Sequence, residues 1–85
     1  MELLKDFNVL GICEEFHNEL KRAEKIHPDY PKDIFHQLAI MQEEAGEVTM
    51  AVLDYHYSGK SIEDVKKELI QTGAMCIRML KNLEV

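Results

Sequence analysis

The chain has 85 residues, 46% hydrophobic and 31% charged, with 16 acidic and 10 basic side chains and a net charge of −6 at pH 7. This length suits one small domain, and the acidic balance argues against nucleic-acid binding, which needs a clustered face of Lys and Arg. No apolar run approaches the roughly 20 residues that span a bilayer, and the first ten residues, MELLKDFNVL, lack a secretion signal. Because Cys13 and Cys76 form no metal or disulfide pattern, we expect one cytoplasmic domain over residues 1–85.

The first predicted helix extends from about Asn8, a candidate N-cap, to about Ile26. Its apolar face has a spacing of three and four residues and consists of Val9, Cys13, Phe16, Leu20 and Ala23. The prolines of His27-Pro28-Asp29-Tyr30-Pro31 end this helix, because proline lacks a backbone N–H and biases its predecessor away from helical conformation.

Two long amphipathic helices are predicted to follow. The second extends from Asp33, a candidate N-cap, to about Tyr57, with the stripe Leu38, Met41, Ala45, Val48, Val52 and Tyr55. The third extends from Ser61, which resembles a capping box with Asp64, to about Leu83. Its stripe is Val65, Leu69, Thr72, Cys76, Met79 and Leu83. The short connector predicts an antiparallel hairpin over about residues 33–83.

The predicted fold is therefore all-α, with three helices per chain. A hairpin alone cannot cover both apolar stripes, and a chain of 85 residues buries only a modest core. We expect a homodimer or homotetramer in which the hairpin completes a four-helix bundle by oligomerisation.

Two polar pairs flank the stripes at equivalent positions. On a helical wheel, Glu44 and Glu47 lie roughly 70° and 130° from the stripe centre of the second helix. Glu68 and Gln71 lie roughly 60° and 120° from that of the third helix, with the same rotational sense. In an antiparallel hairpin both pairs converge on one groove, where the carboxylates repel one another unless a cation neutralises them. Mg²⁺ suits oxygen donors and leaves positions for water and phosphate, with Mn²⁺ as the alternative.

The same residues carry a family resemblance. The segment Glu43-Glu44-Ala45-Gly46-Glu47 reads E-E-x-x-E, and Glu68-Leu69-Ile70-Gln71 follows after 20 intervening residues. Over about residues 35–80, the chain resembles the MazG-type all-α nucleoside triphosphate pyrophosphohydrolases, whose signature is E-x-x-E followed by E-x-x-D. The resemblance implies that Glu44, Glu47 and Glu68 are catalytic metal ligands. Gln71 stands where the family has Asp, as a weaker ligand or a structural amide.

The resemblance also implies that water attacks the α-phosphorus of a nucleotide and releases pyrophosphate and a nucleoside monophosphate. Four further residues are candidates for substrate binding. His36 and Gln37 would contact a base or sugar, and a polar first turn is the alternative. Lys60 and Arg78 would contact phosphate, and solvated charge is the alternative. A second functional hypothesis is a non-catalytic nucleotide-binding or helical interaction protein on the same fold.

Overall fold

Three helices make up most of the chain. The structure, a computed structural model, describes residues 2–83, with side chains described from Asn8 onward. The helices are α1 (Glu2–Ile26), α2 (Ile34–Ser58) and α3 (Ile62–Asn82), and residues 2–83 contain no strand. None of the three helices is long and apolar enough to cross a membrane. The prediction of an all-α chain with three helices is confirmed.

Capping residues set the ends of α2 and α3, within one residue of the predicted limits. Asp33 caps α2 by accepting a hydrogen bond from the backbone N–H of His36, at 3.1 Å. Gly59 ends α2 with a φ of 67°, a left-handed conformation that glycine adopts without a Cβ penalty. Ser61 caps α3 through the N–H of Glu63, at 3.0 Å, while the N–H of Asp64 bonds to the Ser61 carbonyl oxygen.

The predicted start of the first helix is wrong. α1 begins at Glu2, so Asn8 lies inside the helix and is not its N-cap. Residues 2–7 contain neither proline nor glycine, and nothing in them interrupts helical hydrogen bonding. Asn is only mildly unfavourable inside a helix, so this residue alone does not fix the boundary.

α3 packs against both other helices. It runs antiparallel to α2, as the short connector predicts, and parallel to α1. The parallel direction follows from two contacts: the ring of Phe16 lies against Gly73, and Glu24 pairs with Lys81 at 2.7 Å. The buried cluster of Leu20, Ala23, Ala74 and Met75 fills the space between α1 and α3, with Ile40 of α2 packed against it.

Two buried polar side chains fasten the segment between α1 and α2. Gln37 is 1% exposed and donates a hydrogen bond from Nε2 to the Pro31 carbonyl oxygen, at 2.8 Å. Arg78 is 5% exposed and donates to the His27 carbonyl oxygen, and its guanidinium carbon lies 4.6 Å from the centre of the Tyr30 ring. A charge-assisted hydrogen bond and a cation–π contact therefore join this segment to α3.

Much of the apolar surface predicted to be core is uncovered in the single chain. Exposed positions from the predicted stripes include Val9, Cys13, Leu38, Val52, Tyr55, Leu69, Cys76 and Leu83. The radius of gyration is 14.6 Å, whereas a compact domain of this length would have about 12 Å. Three helices in a flat arrangement leave one side of the hairpin without a neighbour, so these stripe positions are not buried within one chain.

The approach of α1 to α3 depends on Gly73, because a Cβ there would lie 2.5 Å from the Phe16 ring. We expect Gly73→Ala to be destabilising relative to Gly46→Ala, by about 1–3 kcal/mol, the usual cost of overpacking. Gly46 is also mid-helical and a Cβ there meets nothing within 4 Å. Gly46→Ala should therefore stabilise the chain, by up to about 1 kcal/mol.

Urea unfolding followed by circular dichroism measures both variants. Equal stabilisation by the two substitutions would show that Phe16 does not pack on Gly73 in solution.

Candidate functional site

Three carboxylates meet between α2 and α3. One oxygen from each of Glu44, Glu47 and Glu68 lies within 4.8 Å of the others. Residues three apart on a helix are neighbours, so the two glutamates of α2 share one edge, and the antiparallel α3 places Glu68 opposite them. Three of the four residues that the helical wheels place on one groove are therefore brought together, and Gln71 is not among them. We call these three residues the carboxylate trio.

The carboxylate trio is electrostatically strained. Burial raises the pKa of Glu44, and the charges of Glu47 and Glu68 raise it further. Burial also raises the pKa of Glu68, with the nearby Glu47 carboxylate as the second cause. Oε2 of Glu44 and Oε2 of Glu68 are buried and find no hydrogen-bond partner among the described residues. A proton or a cation would supply the missing partner.

A groove of about 260 Å³ opens beside the trio. Its lining includes Glu47 and Glu68 together with two further acids, Asp54 and Asp64. The sequence reasoning missed these two as site residues. Asp54 follows Glu47 by seven residues and Asp64 precedes Glu68 by four, and both spacings repeat on one helical face. That periodicity was the signal available to find them.

Gln71 lies on the other side of Glu44, in a second groove of about 390 Å³ between α1, α2 and α3. A step of three residues along a helix turns the side chain by roughly 60°, so Gln71 points further toward α1 than Glu68 does. The Gln71 side chain forms no hydrogen bond within residues 8–83. Its role as a metal ligand stays a prediction.

The four residues predicted to bind substrate are dispersed. His36 is exposed in the first turn of α2, with Nδ1 4.0 Å from the Asp33 carboxylate, and Lys60 is exposed in the connector to α3. Gln37 and Arg78 are buried and fasten the segment before α2. None of the four lines either groove in the described part of the chain. Their substrate roles stay predictions, and the observed contacts of Gln37 and Arg78 are structural.

Comparison with protein-family models, with curated proteins and with solved structures gives no match to this chain.

The raised pKa values make stability depend on pH. The folded chain binds a proton at Glu44 more tightly than the unfolded chain does, so protonation of Glu44 stabilises the fold. This stabilisation is complete below the ordinary carboxyl pKa. It is lost as the pH rises through the higher pKa of the folded state. We expect Glu44→Gln to increase the free energy of unfolding at pH 7.5 and to flatten its dependence on pH above about 4.5.

Urea titrations between about pH 4.5 and pH 8 measure this effect. Glu14→Gln is the matched control, because Glu14 is exposed on α1 and its substitution should change stability by less than about 0.5 kcal/mol. Lower stability of Glu44→Gln at pH 7.5 would contradict an unfavourable buried charge at Glu44.

Proposed function

We propose that this chain is a Mg²⁺-dependent nucleotide pyrophosphohydrolase that releases pyrophosphate and a nucleoside monophosphate from a nucleoside triphosphate or deoxynucleoside triphosphate. The proposal is carried by the carboxylate trio, in which residues of the E-E-x-x-E and E-x-x-Q segments come within 4.8 Å of one another. The resemblance of these segments to the MazG-type signature supplies the reaction class.

The donor set of the trio fits Mg²⁺. All three side chains offer hard carboxylate oxygens, and two of those oxygens are buried without a partner among the described residues. Oxygen ligands about 2.1 Å from Mg²⁺ lie at most about 4.2 Å apart, so small side-chain rotations would close the observed 4.8 Å. When bound, Mg²⁺ would neutralise charge on the phosphate chain and lower the pKa of the attacking water.

The side chains of the carboxylate trio have two tasks in that reaction. Glu44 and Glu68 lie between the helices and would hold the cation against the hairpin. Glu47 is the exposed member and faces the open groove, so its carboxylate is placed to accept the proton of the attacking water. The water oxygen bonds to the α-phosphorus, the bond from that phosphorus to the bridging oxygen breaks, and pyrophosphate leaves.

Pyrophosphate release from a panel of nucleoside triphosphates with Mg²⁺ or Mn²⁺ tests the proposal. We expect Glu44→Gln and Glu68→Gln each to reduce turnover at least tenfold, which corresponds to about 1.4 kcal/mol of barrier. Each substitution keeps the shape of the side chain and removes one charge that binds the cation. Glu14→Gln, on exposed α1 surface, should retain turnover. Unchanged turnover in a trio variant would remove that residue from the mechanism.

The neutral Gln71 favours a second candidate function, a nucleotide-binding protein without turnover. An amide offers one carbonyl oxygen and no charge, which weakens metal affinity compared with Asp. Calorimetric titration with Mg²⁺ and a nucleoside triphosphate separates the candidates. Binding of both without pyrophosphate release supports the second candidate, and no binding at millimolar Mg²⁺ counts against the first.

We also propose that the chain works as a homodimer or homotetramer, with the hairpin face opposite the grooves completing a four-helix bundle. On helical wheels, part of the exposed apolar surface lies roughly 80° from the contact direction in both α2 and α3. The antiparallel arrangement puts both sets on one face: Ile34, Leu38 and Val52 of α2 with Ile62, Leu69 and Leu80 of α3. A second hairpin with the same face would cover it.

Light scattering of the purified chain should give a multiple of the 9.9 kDa monomer mass. Leu38→Glu combined with Leu69→Glu places charge on the hairpin face and should produce a monomer, because these residues are 40% and 50% exposed and would be buried by the second copy. Leu10→Glu is the control, since Leu10 lies on α1 and is 67% exposed. A folded monomer of the unmodified chain would overturn the assembly.

A further inference from the structure

One of the two grooves that Gln71 lines adjoins the carboxylate trio without being part of it. We call it the Gln71 groove; it is lined by Glu19, Arg22, Ala23, His27, Asp29, Ile40, Glu44, Gln71 and Met75. Glu44 belongs to both places, because one of its oxygens meets Glu47 and Glu68 and the side chain also lines the groove. A ligand bound at the trio can therefore continue into the Gln71 groove.

The groove extends from the trio in one direction along the hairpin. On α2 this direction goes from Glu44 back to Ile40, and on the antiparallel α3 it goes from Glu68 forward to Gln71 and Met75. One helical turn advances about 5.4 Å, so the groove covers the first and second turns beyond the trio. Phosphates held at the trio would thus place the rest of a nucleotide beside these side chains.

The chemical character of the groove matches a nucleoside. Part of its lining is apolar, from Ala23 and Met75, which are 7% and 9% exposed, and from Ile40, which is half-buried. Its polar groups lie around this surface, and Arg22 is held there by two hydrogen bonds to Glu19, at 2.6 and 2.8 Å. A nucleobase has flat apolar faces and a polar edge, so a site that binds it needs both an apolar surface and polar groups.

We propose that the Gln71 groove holds the nucleoside part of the substrate and that the Gln71 amide hydrogen-bonds the edge of the base. This inference rests on the proposed function. An amide presents a donor next to an acceptor, and base edges present the complementary pair, as in Gln contacts with adenine. The Gln71 side chain forms no hydrogen bond within residues 8–83, so its amide can make these contacts with a base. Gln71 is then a specificity residue, and Glu44 and Glu68 supply the charges that bind the cation.

Steady-state kinetics of Gln71→Leu tests this assignment. With Mg²⁺ saturating, we expect kcat/KM ratios among nucleoside triphosphates of different bases to change at least tenfold, mainly through KM, because the leucine cannot pair with a base edge. The Mg²⁺ concentration that gives half-maximal rate should stay the same. Gln42→Leu is the matched control, since Gln42 is exposed on α2 and lines neither groove.

Two kinetic results would overturn the assignment. A higher Mg²⁺ requirement with an unchanged ranking of bases would make Gln71 a metal ligand. An unchanged Mg²⁺ requirement with an unchanged ranking would place the base elsewhere.

Binding without chemistry separates this inference from the proposed function. In the unmodified chain with metal chelated, nuclear magnetic resonance of the side-chain amides should show that millimolar nucleosides shift the Gln71 signal and leave the Gln42 signal in place. If the shift occurs but no nucleotide is hydrolysed, the groove assignment stands and the pyrophosphohydrolase proposal fails. If hydrolysis occurs and nucleosides leave Gln71 unshifted, the groove assignment fails and the proposed function stands.

Discussion

Burial of carboxylate charge, together with repulsion among three neighbouring carboxylates, is the constraint on which the site depends. Glu44, Glu47 and Glu68 come within 4.8 Å only because two long helices pack side by side at their positions. The upward shifts in the pKa values of Glu44 and Glu68 show that this packing works against the charges. Helix packing must therefore offset the unfavourable free energy of bringing these charges together. A bound cation would make that free energy less unfavourable.

The rest of the chain holds the two helices in that position. α1 packs on the far side of α3, where Phe16 against Gly73 allows the helices to approach closely. The segment between α1 and α2 is joined to α3 by Arg78. A chain of this size has few buried apolar side chains, so each of these contacts contributes a sizeable share of the stability.

Local sequence was enough to predict the hairpin and the trio. Asp33, Gly59 and Ser61 mark helix ends through chemistry that does not depend on the rest of the fold, and the periodicity of α2 and α3 fixes which residues share an edge. Tertiary contacts were not predictable in this way. A helical wheel does not tell which neighbour a face meets, so the burial of Gln37 and Arg78 and the exposure of the apolar stripe could only be seen in the structure. The start of α1 was missed because an N-cap residue also fits inside a helix.

The anchoring of Gln37 has a consequence for how this chain tolerates changes of length. Its hydrogen bond to the Pro31 carbonyl oxygen joins the first turn of α2, two turns before Glu44, to the segment that Arg78 ties to α3. One residue inserted between these two positions would turn Glu44 and Glu47 by about 100° away from Glu68, while every apolar contact before the insertion remained in place. Insertions in the connector around Gly59 would leave that register untouched. The number of residues in α2 between Gln37 and Glu47 therefore cannot change without moving the site. We expect insertions and deletions to be tolerated in the connectors instead.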